Sequence, residues 1–387
     1  MIKKILKNKF FILLTSFIII VITARFSPVY SLNDRLIALS IGIEKNASEI
    51  SVILETNQIN KNNKNLVVKG TGNNISSCIV DIENNSNKKV SLAQVEIVYL
   101  QKKLIEEMRF KFMASEVLKD IPEVAVVVVS DMPSDIIGSK ISDSGLNSHD
   151  IGTGIRKNKE KVSFLEENIK DLGRDYLSFM GVVTLPYIEV INENKNVVLV
   201  NNDITDIDNE HAKDDNKIAI LIDKGYCFKG NDSVLLNKDN YLIYQLLNDK
   251  ASNISGMINF DINEQLETNL WINKIKIDKN FYIKNNKYIA EYVLNVYIYN
   301  NESFIMSKLD KTKTNKITND NKNMVLSSLD LLGVEFIDYI QNSKFDVLHL
   351  MDKFNTICED KLYNEVDFIS KLNANIKFNI ILQPVKK

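Results

Sequence analysis

From Met324 onward the apolar positions step by three and four. Val325, Leu329, Leu332, Phe336 and Ile340 fall on one face of a helix, with Ser328, Asp330, Glu335, Asp338 and Asn342 largely opposite. After Ser343-Lys344 a second amphipathic piece carries Val347, Leu350, Met351 and Phe354, and Lys377-Phe378-Asn379-Ile380 then alternates as a strand. A helix stripe and one strand face must both leave water, so this tail predicts a two-layer unit.

Upstream, Trp271 to Ile277 and Lys287 to Tyr299 alternate as paired antiparallel strands do. Ile289, Val293 and Tyr297 mark one face of the second, and Tyr288, Tyr292, Leu294 and Ile298 the other, so helices are expected over one side. Ile218 to Phe228 reads as a further strand. In the first half, Leu36 to Glu44 and Glu49 to Glu55 read as two strands. Val124 to Val129 is a continuous apolar run, the pattern of a strand buried on both faces. Helical spacing covers Leu104 to Leu118, broken at Pro122, and Phe164 to Phe179, followed by a strand over Val182 to Val190. The fold class is α+β: two to three mixed domains with sheets covered by helices, ending in a unit of antiparallel strands, a long helix and a terminal strand.

Three stretches resemble the Ger(x)C spore-germination proteins in shared order. Leu32 to Lys45, ending Gly42-Ile43-Glu44-Lys45, is similar to that family's opening strand with its Gly-Ile-Asp-Lys. Ala219 to Lys229, ending Gly225-Tyr226-Cys227-Phe228-Lys229, is similar to its small-apolar-Phe-Lys strand, with Ser233 to Asn248 as the helix after it. Tyr339 to Leu348, with Gln341 and Asp346, followed by Glu365 to Leu372 and Ile376 to Leu382, resembles the family's closing helix and strand. The resemblance further implies a helix over Ile75 to Asn84, a strand over Val90 to Leu100 and a short helix over Ser134 to Ile141. In place of the family's Gly-His in the second of these the chain has Ala93-Gln94, so no role of that His transfers.

Lys3, Lys4, Lys7 and Lys9 precede an apolar run from Phe10 to Ile22, which Arg25 stops. Thirteen residues rise about 20 Å as a helix, short of a hydrocarbon core of about 30 Å. Residues 1–31 are therefore expected to be a signal peptide, with Val29-Tyr30-Ser31 at the cleavage site, or a retained N-terminal anchor. The family's lipid-modified Cys after this segment is missing, since Cys78 is the first cysteine. Residues 192–216, rich in Asn and Asp, read as an acidic linker between an N-terminal Ger(x)C-like domain over 32–191 and a C-terminal one over 217–387.

Hydrophobic content of 45% and charged content of 25% are those of a folded globular chain, and 387 residues exceed one ordinary core. A net charge of -2 gives no electrostatic case for nucleic acid. Cys78, Cys227 and Cys358 are odd in number and far apart, which fits neither a zinc site nor a disulfide framework. His149, His211 and His349 are equally scattered. Lys69-Gly70-Thr71-Gly72 lacks the further glycines and Lys-Ser/Thr ending of a phosphate loop, and 192–216 lacks the Gly of a calcium loop. No Gly-x-Ser-x-Gly or Ser-x-x-Lys motif occurs. No catalytic, cofactor-binding or metal residue is assigned. The resemblance implies a non-enzymatic subunit of a nutrient-germinant receptor, on the outer face of the spore's inner membrane beside integral-membrane subunits and the membrane surface. The alternative is a general envelope or solute-binding protein on the same scaffold.

Overall fold

A computed structural model describes residues 34–46, 48–59, 65–106, 119–137, 168–176, 181–193, 217–229, 232–248, 256–300, 302–310, 314–358 and 362–384, with Ser16 and Ile151. The first half builds β1 (Arg35–Asn46), β2 (Glu49–Ile59), β3 (Asn65–Gly72), α1 (Ile75–Ser86), β4 (Lys89–Ser91), β5 (Ile97–Gln101), β6 (Val126–Ser130), α2 (Pro133–Ile137), α3 (Ile169–Tyr176) and β7 (Val183–Glu193). There follow β8 (Lys217–Lys229), β9 (Asp232–Leu236), α4 (Lys238–Leu247), β10 (Gly256–Asp261), β11 (Leu266–Lys284), β12 (Lys287–Tyr299), β13 (Phe304–Ser307) and β14 (Thr314–Lys316). The chain ends in α5 (Lys322–Ser343), α6 (Leu350–Phe354), α7 (Glu365–Lys371) and β15 (Leu372–Gln383).

The first sheet runs β3-β2-β1-β5-β6-β7-β8-β9, with β4 beside the start of β1. Its centre, β1-β5-β6-β7, is parallel, and antiparallel hairpins flank it. Val126 to Val129 of the apolar run fall in β6, every residue of which is buried, whereas Val124 lies before the strand and is 69% exposed. Val127 and Val129 pack with α1 and α3 in one core, whereas Val126 and Val128 pack with Ile136 and Ile137 of α2 in another. Helix α1 starts where Asn74 and Ser77 cap each other's backbone and ends at Asn87 in the left-handed region, as capping chemistry favours.

The second sheet runs β14-β13-β11-β12-β15, with β10 on the other side of β11. Alternation in β12 buries Ala290, Tyr292, Leu294, Val296 and Ile298 against the helices, as the pattern predicts. Val325, Leu329, Phe336 and Ile340 of α5 are buried in that core, and so are Val347, Leu350, Met351 and Phe354. Ser328, expected on the polar face, is buried and donates to the Met324 and Ile262 carbonyls.

Three elements depart from the sequence reading, and a further one, β15, takes a direction that the sequence leaves open. The closing strand β15 runs parallel to β12, from Tyr288↔Leu372 to Tyr299↔Gln383. The long crossover through α5, α6 and α7 returns it in the same direction, which a short hairpin cannot do. The strand expected over Val90 to Leu100 divides into β4 and β5, because they pair with separate parts of β1 on either side of its bulge between Ala38 and Ser40. Ala93 and Gln94 lie in the intervening turn, closed by Val95 N donating to Leu92 O at 3.0 Å. The helix expected from Ser233 begins only after Asn237, whose side chain caps α4, and Asp232–Leu236 is instead strand β9. Strand β8, beyond the expected linker, pairs antiparallel with β7 from Val183↔Phe228 to Glu193↔Lys217, so it belongs to the first sheet.

Residues 194–216 lie outside the described residues, as do most of Leu104 to Leu118, His149, His211, and 1–31 apart from Ser16. Among the described residues no helix is long and apolar enough to cross a membrane.

Candidate functional site

One cluster of polar groups lies where the two sheets meet. Alternation makes β8 a shared wall: Tyr226 and Phe228 point into the core of the first sheet, and Cys227 into that of the second. Lys229 at the end of β8 reaches Glu365 Oε2 at 2.6 Å, the two side chains being 30% and 15% exposed. Glu365 Oε1 accepts from Asp346 N at 2.6 Å. Asp346 is fully buried, and its carboxylate accepts from Leu350 N at 2.9 Å and Met351 N at 2.7 Å, closing the start of α6. Burial pushes this carboxyl up to about 7, and the Glu365 and Asp352 charges add to that against the two amides. Tyr339 of α5 donates to Leu235 O of β9 at 3.2 Å, a second tie across the joint. Lys229, Asp346 and Glu365 were visible as motif residues in the sequence. Their convergence was not, because nothing local joins positions so far apart.

A second polar group stands at the carboxyl ends of the parallel strands, where open α/β sheets commonly bind ligands. Glu44, 2% exposed, pairs with Lys69 at 2.9 Å and accepts from Asn46 and from Ser134 N at 3.4 Å. Burial alone would raise its pKa, but the Lys69 and Ser134 contacts outweigh this and hold it below the usual carboxylate range. Gln101 accepts from Lys45 N at 2.7 Å, and the buried Ser130 hydroxyl meets no partner among the described residues. Here too the Gly42-Ile43-Glu44-Lys45 run supplies an anchor: one carboxylate ties β1, β3 and α2 together.

The remaining candidates stay apart. His349 takes a left-handed conformation before α6, with Nδ1 3.9 Å from Asp352, and burial lowers its pKa. Cys78 and Cys227 are buried, the first pushed up to about 11 and the second further by complete burial. Thr184 donates to Cys227 Sγ at 3.0 Å. Among the described residues no His, Cys, Asp and Glu group can hold a metal ion. A groove of about 400 Å³ opens between α1, β3 and the start of β1, lined by Leu36, Val68 and Ile82 with Lys69 and Lys88 at its rim.

Residues 29–190 match the family described as spore germination protein N-terminal domain, so this part of the chain is such a domain and the Ger(x)C resemblance is borne out. The crystal structure of the GerBC protein aligns with a TM-score of 0.49 at 12% identity, over 88% of this chain and 96% of that one. No curated protein matches the sequence.

Proposed function

We propose that the chain is the non-enzymatic C subunit of a nutrient-germinant receptor. It is exported and held at the outer face of the cytoplasmic membrane by its N-terminal segment or by a partner, where it docks integral-membrane subunits. The observation that carries this reading is the spore-germination domain over residues 29–190. The polar groups support it, because the most buried carboxylates are spent on holding elements together: Glu44 on Lys69 and α2, Asp346 on α6. Docking of this kind uses polar and aromatic surface, and affinity for one isolated partner is then modest.

Deletion of the gene in its host, followed by nutrient-triggered and nutrient-independent germination assays, tests the reading. The expected result is a defect confined to nutrients, rescued by a variant with His149, His211 and His349 all changed to Ala. Normal germination in the deletion strain would overturn it and favour the envelope or solute-binding reading, for which the groove beside α1 is the specific observation.

A further inference from the structure

We propose that the groove between α1, β3 and the start of β1 binds a small organic anion, a carboxylate or phosphate carried on an apolar body. The groove exists because α1 diverges from β3. A Cβ at Gly70 would run into the Cys78 carbonyl and one at Gly72 into the Ser77 hydroxyl, so the first turns of α1 lie directly on the strand. At the other end of the helix the facing residues are Val68 and Leu66, whose side chains keep it at a distance, and a space of about 400 Å³ opens there. Small-molecule sites occupy roughly 300 to 1,000 Å³.

The floor is apolar, formed by the buried Leu36 and Ile82 and the half-buried Leu66 and Val68. Side chains alternate along β3, so Lys69 turns its ammonium to the opposite face of the sheet, where Glu44 neutralises it at 2.9 Å. Lys88, two residues beyond α1, is the cation that serves the groove. It is half-buried, and it donates to Gln58 Oε1 at 2.9 Å, an acceptor without charge. Gln58 is itself fixed by donating to Arg35 O at 3.0 Å. An ammonium has three donors, so two of them meet no protein group among the described residues. No carboxylate lines the groove, because Glu83 takes Lys89 at 2.6 Å and Asp81 takes Thr71 N at 3.0 Å. The last carbonyls of α1 contribute about half a negative charge, less than the one positive charge of Lys88.

Charge and floor together select the ligand. A carboxylate or phosphate supplies both the missing charge and the acceptors for the two remaining donors of Lys88. An apolar body covers Leu36, Leu66, Val68 and Ile82, which an inorganic anion would leave wet. A neutral ligand would leave the ammonium unmatched, and a cationic one would be repelled by it. Such binding goes beyond the docking of membrane subunits and does not depend on it.

Isothermal titration calorimetry of the full chain in a non-ionic detergent, against a blank of the same micelles, tests this. The probes are two anions, phenylacetate and phenyl phosphate, with neutral phenylacetamide, cationic phenethylamine and acetate for comparison. At least one of the two anions should saturate at one per chain and bind at least tenfold more tightly than phenylacetamide or acetate, and phenethylamine should not bind. Lys88→Met should weaken the anion at least tenfold while leaving the affinity for phenylacetamide unchanged, a split that a merely unfolded groove would not show. Asn85→Trp, which fills the mouth from an exposed position, should abolish binding of both. Lys89→Met, at the lysine already paired with Glu83 and outside the groove, should change neither. Failure of both anions to saturate, equal affinity for anion and amide, or an affinity indifferent to Lys88→Met would overturn the proposal.

Discussion

Phe336 sits fully buried in the core that α5 seals. Truncating a buried Phe costs about 3 to 5 kcal/mol once the cavity is counted. Against a domain stability of about 5 to 15 kcal/mol, Phe336→Ala should therefore shift urea unfolding strongly. A loss below about 1 kcal/mol would contradict the packing. Asp346 acts in the opposite sense to most salt-bridged carboxylates. Its folded pKa, about 7, lies above the ordinary value of 3.8, so between those values the folded chain holds a proton that the unfolded chain has released. Its contribution is complete below about pH 3.8 and is lost as pH rises through about 7. Unfolding followed from pH 5 to pH 8 should show the natural protein losing stability relative to Asp346→Asn, which stays neutral throughout. Parallel pH curves for the two would mean that Asp346 is ionised across the range.

Single elements meet their neighbours at defined points, and two glycines separate the cases. A Cβ at Gly225 of β8 would run into the Tyr241 ring of α4, whereas at Gly173 of α3 it would meet nothing within 4 Å. Gly225→Ala is expected to push α4 off β8 at a cost of about 1 to 3 kcal/mol. Gly173→Ala is expected to stabilise by about 0.5 to 1 kcal/mol through helix propensity. Thermal unfolding of both variants checks the pair, and equal shifts would contradict it. The elements most legible in the sequence were those whose burial pattern is complete within themselves: α5 from its stripe, β6 from its valines, β12 from its alternation. Those misread depend on partners far along the chain. Nothing in Val90 to Leu100 reveals the bulge of β1 that splits it, and the direction of β15, which the sequence leaves open, is set by its pairing with the distant β12. The polar joint was half legible, since Lys229, Asp346 and Glu365 stood out as motif residues while their proximity needed the fold.

For the whole molecule, the tie from Lys229 to Glu365 is a charged contact between β8 and the closing helices. A double-mutant cycle with Lys229→Met and Glu365→Gln should give a coupling of about 0.5 to 1.5 kcal/mol, reduced from a fully buried pair by partial solvent screening and weaker at high salt. Zero coupling would leave the joint to Tyr339 and apolar packing. The parallel pairing of β15 with β12 also carries a consequence in time. Strand β15 pairs with one made some eighty residues earlier, so the second core stays open until the intervening helices and β15 itself have been synthesised. For the exported chain proposed above, this delay would mean that the fold is not locked shut before it crosses the membrane. The same delay makes the terminus indispensable: a chain ending after Lys371 leaves the thirteen residues of β12 as a bare edge, and should accumulate as aggregate while the intact chain is soluble in the same detergent.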